Sequence, residues 1–526
     1  MSVMKKSKAF VLLFLLMAGL LVGCRSISDT TVTEEQKESA RSEKTLADFE
    51  HATLGILSGS SYDPLAKERF PEAERKYYSL VPDMILAVEQ GKIDGYILET
   101  TYVTAAIWDG AKIEAVKEPL DRTRAGYIFQ KNSANAQARD RLNEFIRNAT
   151  ENGQLARLQE KWLGSKEPDE VFDSSSLTGE NGTLKVAVSP DLKPLCYLKD
   201  GEVVGYEIEV LQQFAKECGY QLEFIPMTFD AILPGVVAGK YDIGTGGMTI
   251  TEERAQSVDF TESYISVDVV MVVKAEEDPS ASVDFWAEFK EDFHKTFIRE
   301  DRWKLIVEGV FITMLISLCA AIAGSLFGFG LYMLSRSDSK VVQVATKGFA
   351  KGYSRIVAGT PVVVILMILF YVVFGNFQDM SGILVAIIGF TLTFGAFVYD
   401  HMTVSVESVN HGQTEAAYAL GYTKNQTFFR IIFPQAMSIF LPSYCSQAVE
   451  LIKATAVVGY IAVNDLTKMG DIIRSNTYEA FFPLIATALI YFLLTWMLSL
   501  LLNLLKIRFE PKRRKKEEIL KGVKTV

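Results

Sequence analysis

Apolar and polar positions follow two different rhythms along this chain of 526 residues. Before residue 300, short apolar runs of strand length alternate with amphipathic stretches of helical period. From Thr183, TLKVAVS, the turn at Asp200-Gly201, YEIEVLQQFAKECGY and QLEFIPM predict a strand, a hairpin, a helix and a second strand. DFWAEFKEDFHKTF, at 284–297, has the pattern of a helical linker. After Leu305 the apolar runs lengthen. Residues 306–334, 356–375, 382–399 and 480–505 are long and apolar enough to cross a bilayer. A fifth span is expected within 432–463, where Glu450 and Lys453 point to a protein-lined stretch.

Composition refines this division. Hydrophobic residues make up 49% of the chain, concentrated in the second half, and the net charge of −10 argues against a nucleic-acid partner. The basic residues gather beside the apolar runs. Five spans place the chain ends on opposite faces, with the tail PKRRKKEEILKGVK and the loop bearing Arg336, Lys340, Lys347, Lys351 and Arg355 inside, and Asn376 to Asp379 outside. At the start, Met4-Lys5-Lys6 and the apolar run Phe10 to Leu16 read as a secretory signal. Its end, LVGC, resembles a bacterial lipobox, which implies lipidation at Cys24; the alternative is a signal anchor with a chance cysteine. Residues 25–44 are too polar to fold alone and read as a tether. The five cysteines, at 24, 196, 218, 319 and 445, are too scattered for a disulfide framework or a metal site.

The loop at 412–434, GQTEAAYALGYTKNQTFFRIIFP, resembles the EAA loop of ABC importer permeases. The resemblance implies that Glu415, Ala416, Ala417 and Gly421 form a helix and turn docking into a separate cytoplasmic ATPase. Gly359-Thr360-Pro361 and Lys453-Ala454-Thr455 resemble two segments of polar amino-acid permeases, departing at Ala358 and Ala454. A phosphate-cradling loop needs G-x4-G-K-[ST]; the nearest string, GVVAGK at 235–240, has too few intervening residues. ATP is therefore expected on a partner subunit, with no catalytic residue, cofactor or metal on this chain. The family's two-fold core implies a second permease domain, as a homodimer.

Residues 183–275 resemble the first lobe of periplasmic amino-acid-binding proteins through FDAILPGVVAGKYDIGTGGMTITEERAQSVDF. Carried over to this chain, the resemblance assigns the ligand carboxylate to Arg254 and Thr249, with backbone groups of Gly247 beside them and Phe229 covering the ligand. A guanidinium suits a carboxylate because its planar fork binds both oxygens. The second lobe is expected upstream, at 45–163, where SGSSYD and ILAVEQGKIDGYILET match it. The domain is then circularly permuted, its usual end joined to its usual start through 164–182; two truncated copies, or halves exchanged between chains, are the alternative. Ser60 and Ser61 are assigned to the carboxylate and Glu99 to the α-ammonium. Leu192 and Leu195 stand where the family carries aromatics.

The expected architecture is an α/β two-lobed solute-binding domain, then a linker at 276–304, an all-α polytopic membrane domain at 305–508 and a tail at 509–526. The expected function is the membrane subunit of an amino-acid importer in the bacterial cytoplasmic membrane, with an extracytoplasmic clamp and a cytoplasmic C-terminus. A ligand-gated channel or receptor built on the same clamp is the competing reading, although no carbonyl filter of the TVGYG type occurs. A single permuted clamp requires the strand near Val267 to Val273 to join the sheet built from residues 45–120, and the helices of 134–163 to pack on the lobe holding Arg254.

Overall fold

A computed structural model describes residues 44–509, apart from 132–134, 165–167, 169, 276–284, 376 and 378–379. Cys24, the signal and tether segments and the basic tail lie outside the described residues.

Two sheets organise the first half of the chain. The six-stranded sheet runs β2 (Glu74–Tyr78), β1 (Thr53–Leu57), β3 (Gly95–Glu99), β14 (Ile265–Lys274) and β4 (Ile113–Ala115), with β5 (Asp121–Ala125) also paired to β14. β1 pairs in parallel with β2 and β3, while β14 runs antiparallel to β3, β4 and β5. β3, paired in parallel with β1 and antiparallel with β14, is buried along its whole length, as a strand covered on both faces should be. The five-stranded sheet runs β11 (Gln221–Pro226), β7 (Thr183–Val188), β12 (Ile243–Gly244), β6 (Ile128–Gln130) and β13 (Val258–Phe260). A small antiparallel sheet is formed by β8 (Asp191–Leu192), β9 (Cys196–Lys199) and β10 (Glu202–Val204).

Both large sheets draw strands from either side of residues 164–182. The chain passes from the six-stranded to the five-stranded lobe between β5 and β6, and returns between β13 and β14. This is a two-lobed fold with two crossings, in which each large sheet is completed only by both stretches of sequence. Helices Ala136–Glu151 and Gln154–Leu163 pack on helix Tyr206–Cys218 of the five-stranded lobe. Phe145 meets Phe214 edge to face there, and Trp162 Nε1 donates to Glu209 Oε2 at 2.8 Å.

The second half is helical. Among the described residues three helices are long and apolar enough to cross a membrane: Trp303–Leu334, Gly382–Glu407 and Phe481–Leu504. Two bent pairs bring the number to as many as five by length and composition, Lys340–Gly359 with Val362–Val373 (110°) and Lys424–Ile461 with Leu466–Thr477 (57°). The first bend departs from the straight span expected at 356–375. It falls at Thr360-Pro361, where the proline ring leaves no amide for the helix and disfavours helical backbone before it.

Helix Tyr206–Cys218 starts at Gly205, whose φ of 135° and position against β9 exclude a side chain; a Cβ there would lie 2.1 Å from the Leu195 carbonyl oxygen. Gly205→Ala should therefore cost about 3 kcal/mol and lower the clamp's melting temperature by roughly 10 °C. Calorimetry of the full chain checks this, and an unchanged transition would refute it.

Candidate functional site

The cleft between the lobes is built from strand ends and turns. On the five-stranded lobe, the segment after β12 carries Gly247 and Thr249, and the short helix Glu252–Ala255 carries Arg254. Thr251 caps that helix, its hydroxyl accepting from the Arg254 amide at 3.3 Å. On the six-stranded lobe, the turn after β1 carries Ser60 and Ser61, and β3 ends at Glu99.

The walls touch. Arg254 Nη1 donates to the Thr249 carbonyl at 3.0 Å, and its Nη2 donates across the cleft to the Gly59 carbonyl at 2.9 Å. Its guanidinium lies 5.9 Å from the centre of the Phe229 ring. Ser61 Oγ donates to Thr249 Oγ1 at 3.3 Å, again from lobe to lobe. Ser60 behaves differently: its hydroxyl donates to the Leu57 carbonyl at 2.6 Å and accepts from the Tyr62 amide at 3.3 Å, which shapes the turn.

Glu99 is buried at 1% exposure. Thr123 Oγ1 donates to its Oε1 at 3.0 Å, while Oε2 has no partner among the described residues. Burial pushes this carboxyl up from its ordinary 4.5 to about 7, against the pull of Thr123, Tyr62 and Arg254. An ammonium placed against Oε2 would supply both the missing hydrogen bond and the countercharge. The guanidinium has five N–H donors, and two are spent on carbonyls. The cleft thus combines a cationic fork and a buried acid on opposite walls, a pairing suited to the two charged ends of an α-amino acid.

Four further residues shape this cleft without having been picked out in the sequence. Tyr62 is buried within electrostatic reach of the Glu99 carboxyl, and burial and that acid together push its hydroxyl's pKa up. Tyr102 reaches over to the opposite wall, where a Cβ on Gly247 would sit 2.3 Å from its hydroxyl. It comes from the lobe opposite Leu195, whose Cδ1 lies 3.4 Å from the same point. Thr123 orients Glu99. Glu207 is fully buried, and its Oε2 accepts from Thr245 Oγ1 (2.8 Å), Gly247 N (2.9 Å) and Tyr264 Oη (2.6 Å), pinning the loop that carries Gly247. Burial raises its pKa too.

A sequence profile of the bacterial extracellular solute-binding proteins, family 3, matches residues 184–437, from β7 onward into the helical half. A Rickettsia typhi protein provisionally named glutamine transport system permease protein GlnP is 30% identical over 205 residues, which cover 38% of this chain and 91% of that protein. The chain belongs to the family of amino-acid ABC transporter permeases. A Bacillus subtilis member, provisionally named amino-acid ABC transporter permease protein YckA, is 30% identical over 204 residues, covering 39% of this chain and 88% of its own length. A crystal structure of an amino acid ABC transporter with histidines is 28% identical, covers 43% of this chain and all of its own, and has a TM-score of 0.37.

In this permease the loop at 412–434 forms helix His411–Ala419, a turn at Gly421 with φ of 81°, and helix Lys424–Thr427, whose Thr423 and Gln426 make a reciprocal cap. Glu415 and Ala416 are exposed and Ala417 is buried. Leu420, at 77% exposure, projects beside them.

The Glu99 carboxyl keeps its proton in the folded chain and loses it in the unfolded chain between pH 4.5 and about 7. Its contribution to stability is thus full below pH 4.5 and is lost as the pH rises toward 7, and Glu207 acts in the same direction. Between pH 5 and pH 8, the unliganded wild type should lose several degrees of melting temperature that Glu99→Gln retains. Parallel pH profiles for the two proteins would contradict the assignment.

Proposed function

We propose that this chain is the membrane subunit of an ABC importer that captures an α-amino acid in its own extracytoplasmic clamp and couples to a separate ATPase. The observation that carries the reading is the cleft, where Arg254 and Thr249 on one wall stand opposite the buried Glu99 on the other; in this reading the first two take the ligand carboxylate and Glu99 its ammonium. Ser61 and backbone groups of Gly247 complete the carboxylate side, while Phe229, Tyr62 and Tyr102 cover the ligand. Ser60 supports the turn rather than contacting the ligand. Relatives of this chain are named for glutamine and L-cystine transport, in keeping with an amino-acid substrate class.

In this reading the exposed Glu415 and Ala416, with Ala417 and the Gly421 turn, couple the spans to an ATPase that binds ATP on its own chain. The membrane part crosses five times, its lobes outside and its C-terminus in the cytoplasm, with Cys24 as a lipid anchor. Two copies enclose the path. Support comes from the Glu450–Lys453 ion pair, both side chains more than half exposed on the otherwise uncharged helix Phe433–Ala454. Charges on such a helix belong against protein or water rather than lipid, so this face is assigned to the second copy and the path between them.

Saturating the clamp with its amino acid should raise the melting temperature, since a ligand at a hundred times its Kd stabilises by about 2.7 kcal/mol. Arg254→Ala should abolish that rise while leaving the unliganded protein folded; undiminished binding would sink the site. For coupling, Glu415→Lys and Gly421→Asp should each stop ATP-driven uptake by the full transporter without altering ligand binding. Uptake at the wild-type rate in both would exclude this loop as the coupling element.

A further inference from the structure

The helix Leu466–Thr477 has a polar sequence, LTKMGDIIRSNT, yet all its residues except Thr467 and Asp471 are buried. Its composition admits it as half of a bent span. Its partners place it elsewhere, wedged between the clamp and two long apolar helices.

Toward the membrane helices its mounting is tight. The Leu466 amide donates to Thr313 Oγ1 at 3.2 Å, and Tyr491 Oη donates to Asp465 Oδ2 at 3.0 Å. Glycines permit close approach on both sides: a Cβ on Gly309 would lie 2.8 Å from Leu466 Cα, and one on Gly470 would lie 2.4 Å from Thr487 Oγ1. Toward the clamp, the same helix holds both lobes. Asn476 Nδ2 donates to the Leu198 carbonyl at 2.8 Å, Tyr478 Oη donates to the Lys193 carbonyl at 2.6 Å, and Lys468 lies 3.6 Å from Asp191, all on the five-stranded lobe. Arg474 makes an ion pair with Asp83, on helix Val81–Glu89 of the six-stranded lobe. Beside it the lobes are linked directly, by the buried pair of Lys193 and Asp109 at 2.7 Å, and Lys295 from the linker helix donates to the Asp109 carbonyl at 2.6 Å.

We propose that the helix Leu466–Thr477 with Tyr478 is the element through which the membrane helices register closure of the clamp, by gripping both lobes at once. The inference rests on the reading of the cleft as an amino-acid site and adds the regulation of that site. Opening rotates the lobes apart about the two crossings. A rigid helix fixed to Thr313 and Tyr491 cannot follow both lobes, so opening breaks either the Asp83 contact or the set at Asp191, Lys193 and Leu198. By linkage, docking on this helix favours the closed clamp and tightens amino-acid binding, and ligand-driven closure strengthens docking by the same factor. Arg474, remote from Arg254 and Glu99 in sequence and bonded to neither, is in this view a positioning residue for ligand affinity.

The test uses the full chain in lipid nanodiscs, with a mixture of the standard amino acids as probe. The readout is the mixture concentration needed to raise the melting temperature by a fixed increment, which scales with the dissociation constant. Asp83→Arg and Arg474→Asp should each raise that concentration about tenfold, and the double variant should return it to within about threefold of wild type. Asp83→Asn, a mild change at a partly exposed side chain, should raise it about threefold and decides the matter if a charge reversal fails to fold. An unchanged concentration in the single variants, or a double variant no better than either, overturns the proposal. Absence of any shift in the wild type overturns the amino-acid reading itself, and this inference with it.

Discussion

The antiparallel pairing of β14 with β3, β4 and β5 is the constraint on which the rest of this structure depends. It returns the downstream part of the sequence to the sheet begun upstream, so two stretches separated by the linker at 164–182 share one core. The same strand sets the chemistry of the cleft. Val269 lies opposite Glu99 on β3, and Val267 lies opposite Thr123 on β5. One ten-residue strand thus fixes the register of an acid and of the hydroxyl that orients it. A slip by one residue would turn alternate side chains to the other face and separate them.

The cleft is electrostatically incomplete by construction. Glu99 is buried with one oxygen unsatisfied, and taking a carboxylate out of water is unfavourable unless it is paired. Arg254 already spans the cleft to Gly59, so the closed arrangement holds without an ion pair between the two charged residues. A zwitterion with its ammonium on Glu99 and its carboxylate on Arg254 would satisfy both groups together, while either end alone would satisfy one. In the function proposed above, discrimination in favour of α-amino acids would follow from that pairing, and side-chain preference would fall to the aromatic groups Tyr62, Tyr102 and Phe229.

Much of this organisation was legible in the sequence because it rests on local pattern. The strand and helix rhythm from Thr183, the MTITEER segment and the EAA loop each carry their residues within a few positions of one another, and the long apolar runs announce a membrane half. Tyr62 and Tyr102 were not legible. Tyr62 adjoins Ser61 and Tyr102 lies three residues past Glu99, but the place of each in the cleft depends on approach across two lobes. Glu207 sits in an ordinary amphipathic helix start, and its role appears only when the Gly247 loop folds back on it. The helix Leu466–Thr477 lacks the apolar run of a span, and its stripe of Leu466, Met469, Ile472 and Ile473 reads as that of a surface helix; its polar side is buried as well only because membrane helices cover one side and a domain distant in sequence covers the other. The bend at Thr360-Pro361 could have been read from its proline, but the apolar run suggested one continuous span.

The central claim is that receptor and permease act as one chain. Uptake of a labelled amino-acid mixture into proteoliposomes containing only this chain and its partner ATPase tests it most directly. The account predicts ATP-dependent accumulation with no soluble binding protein added, lost in the Arg254→Ala chain. Accumulation that requires an added binding protein, or that persists undiminished in Arg254→Ala, would contradict it.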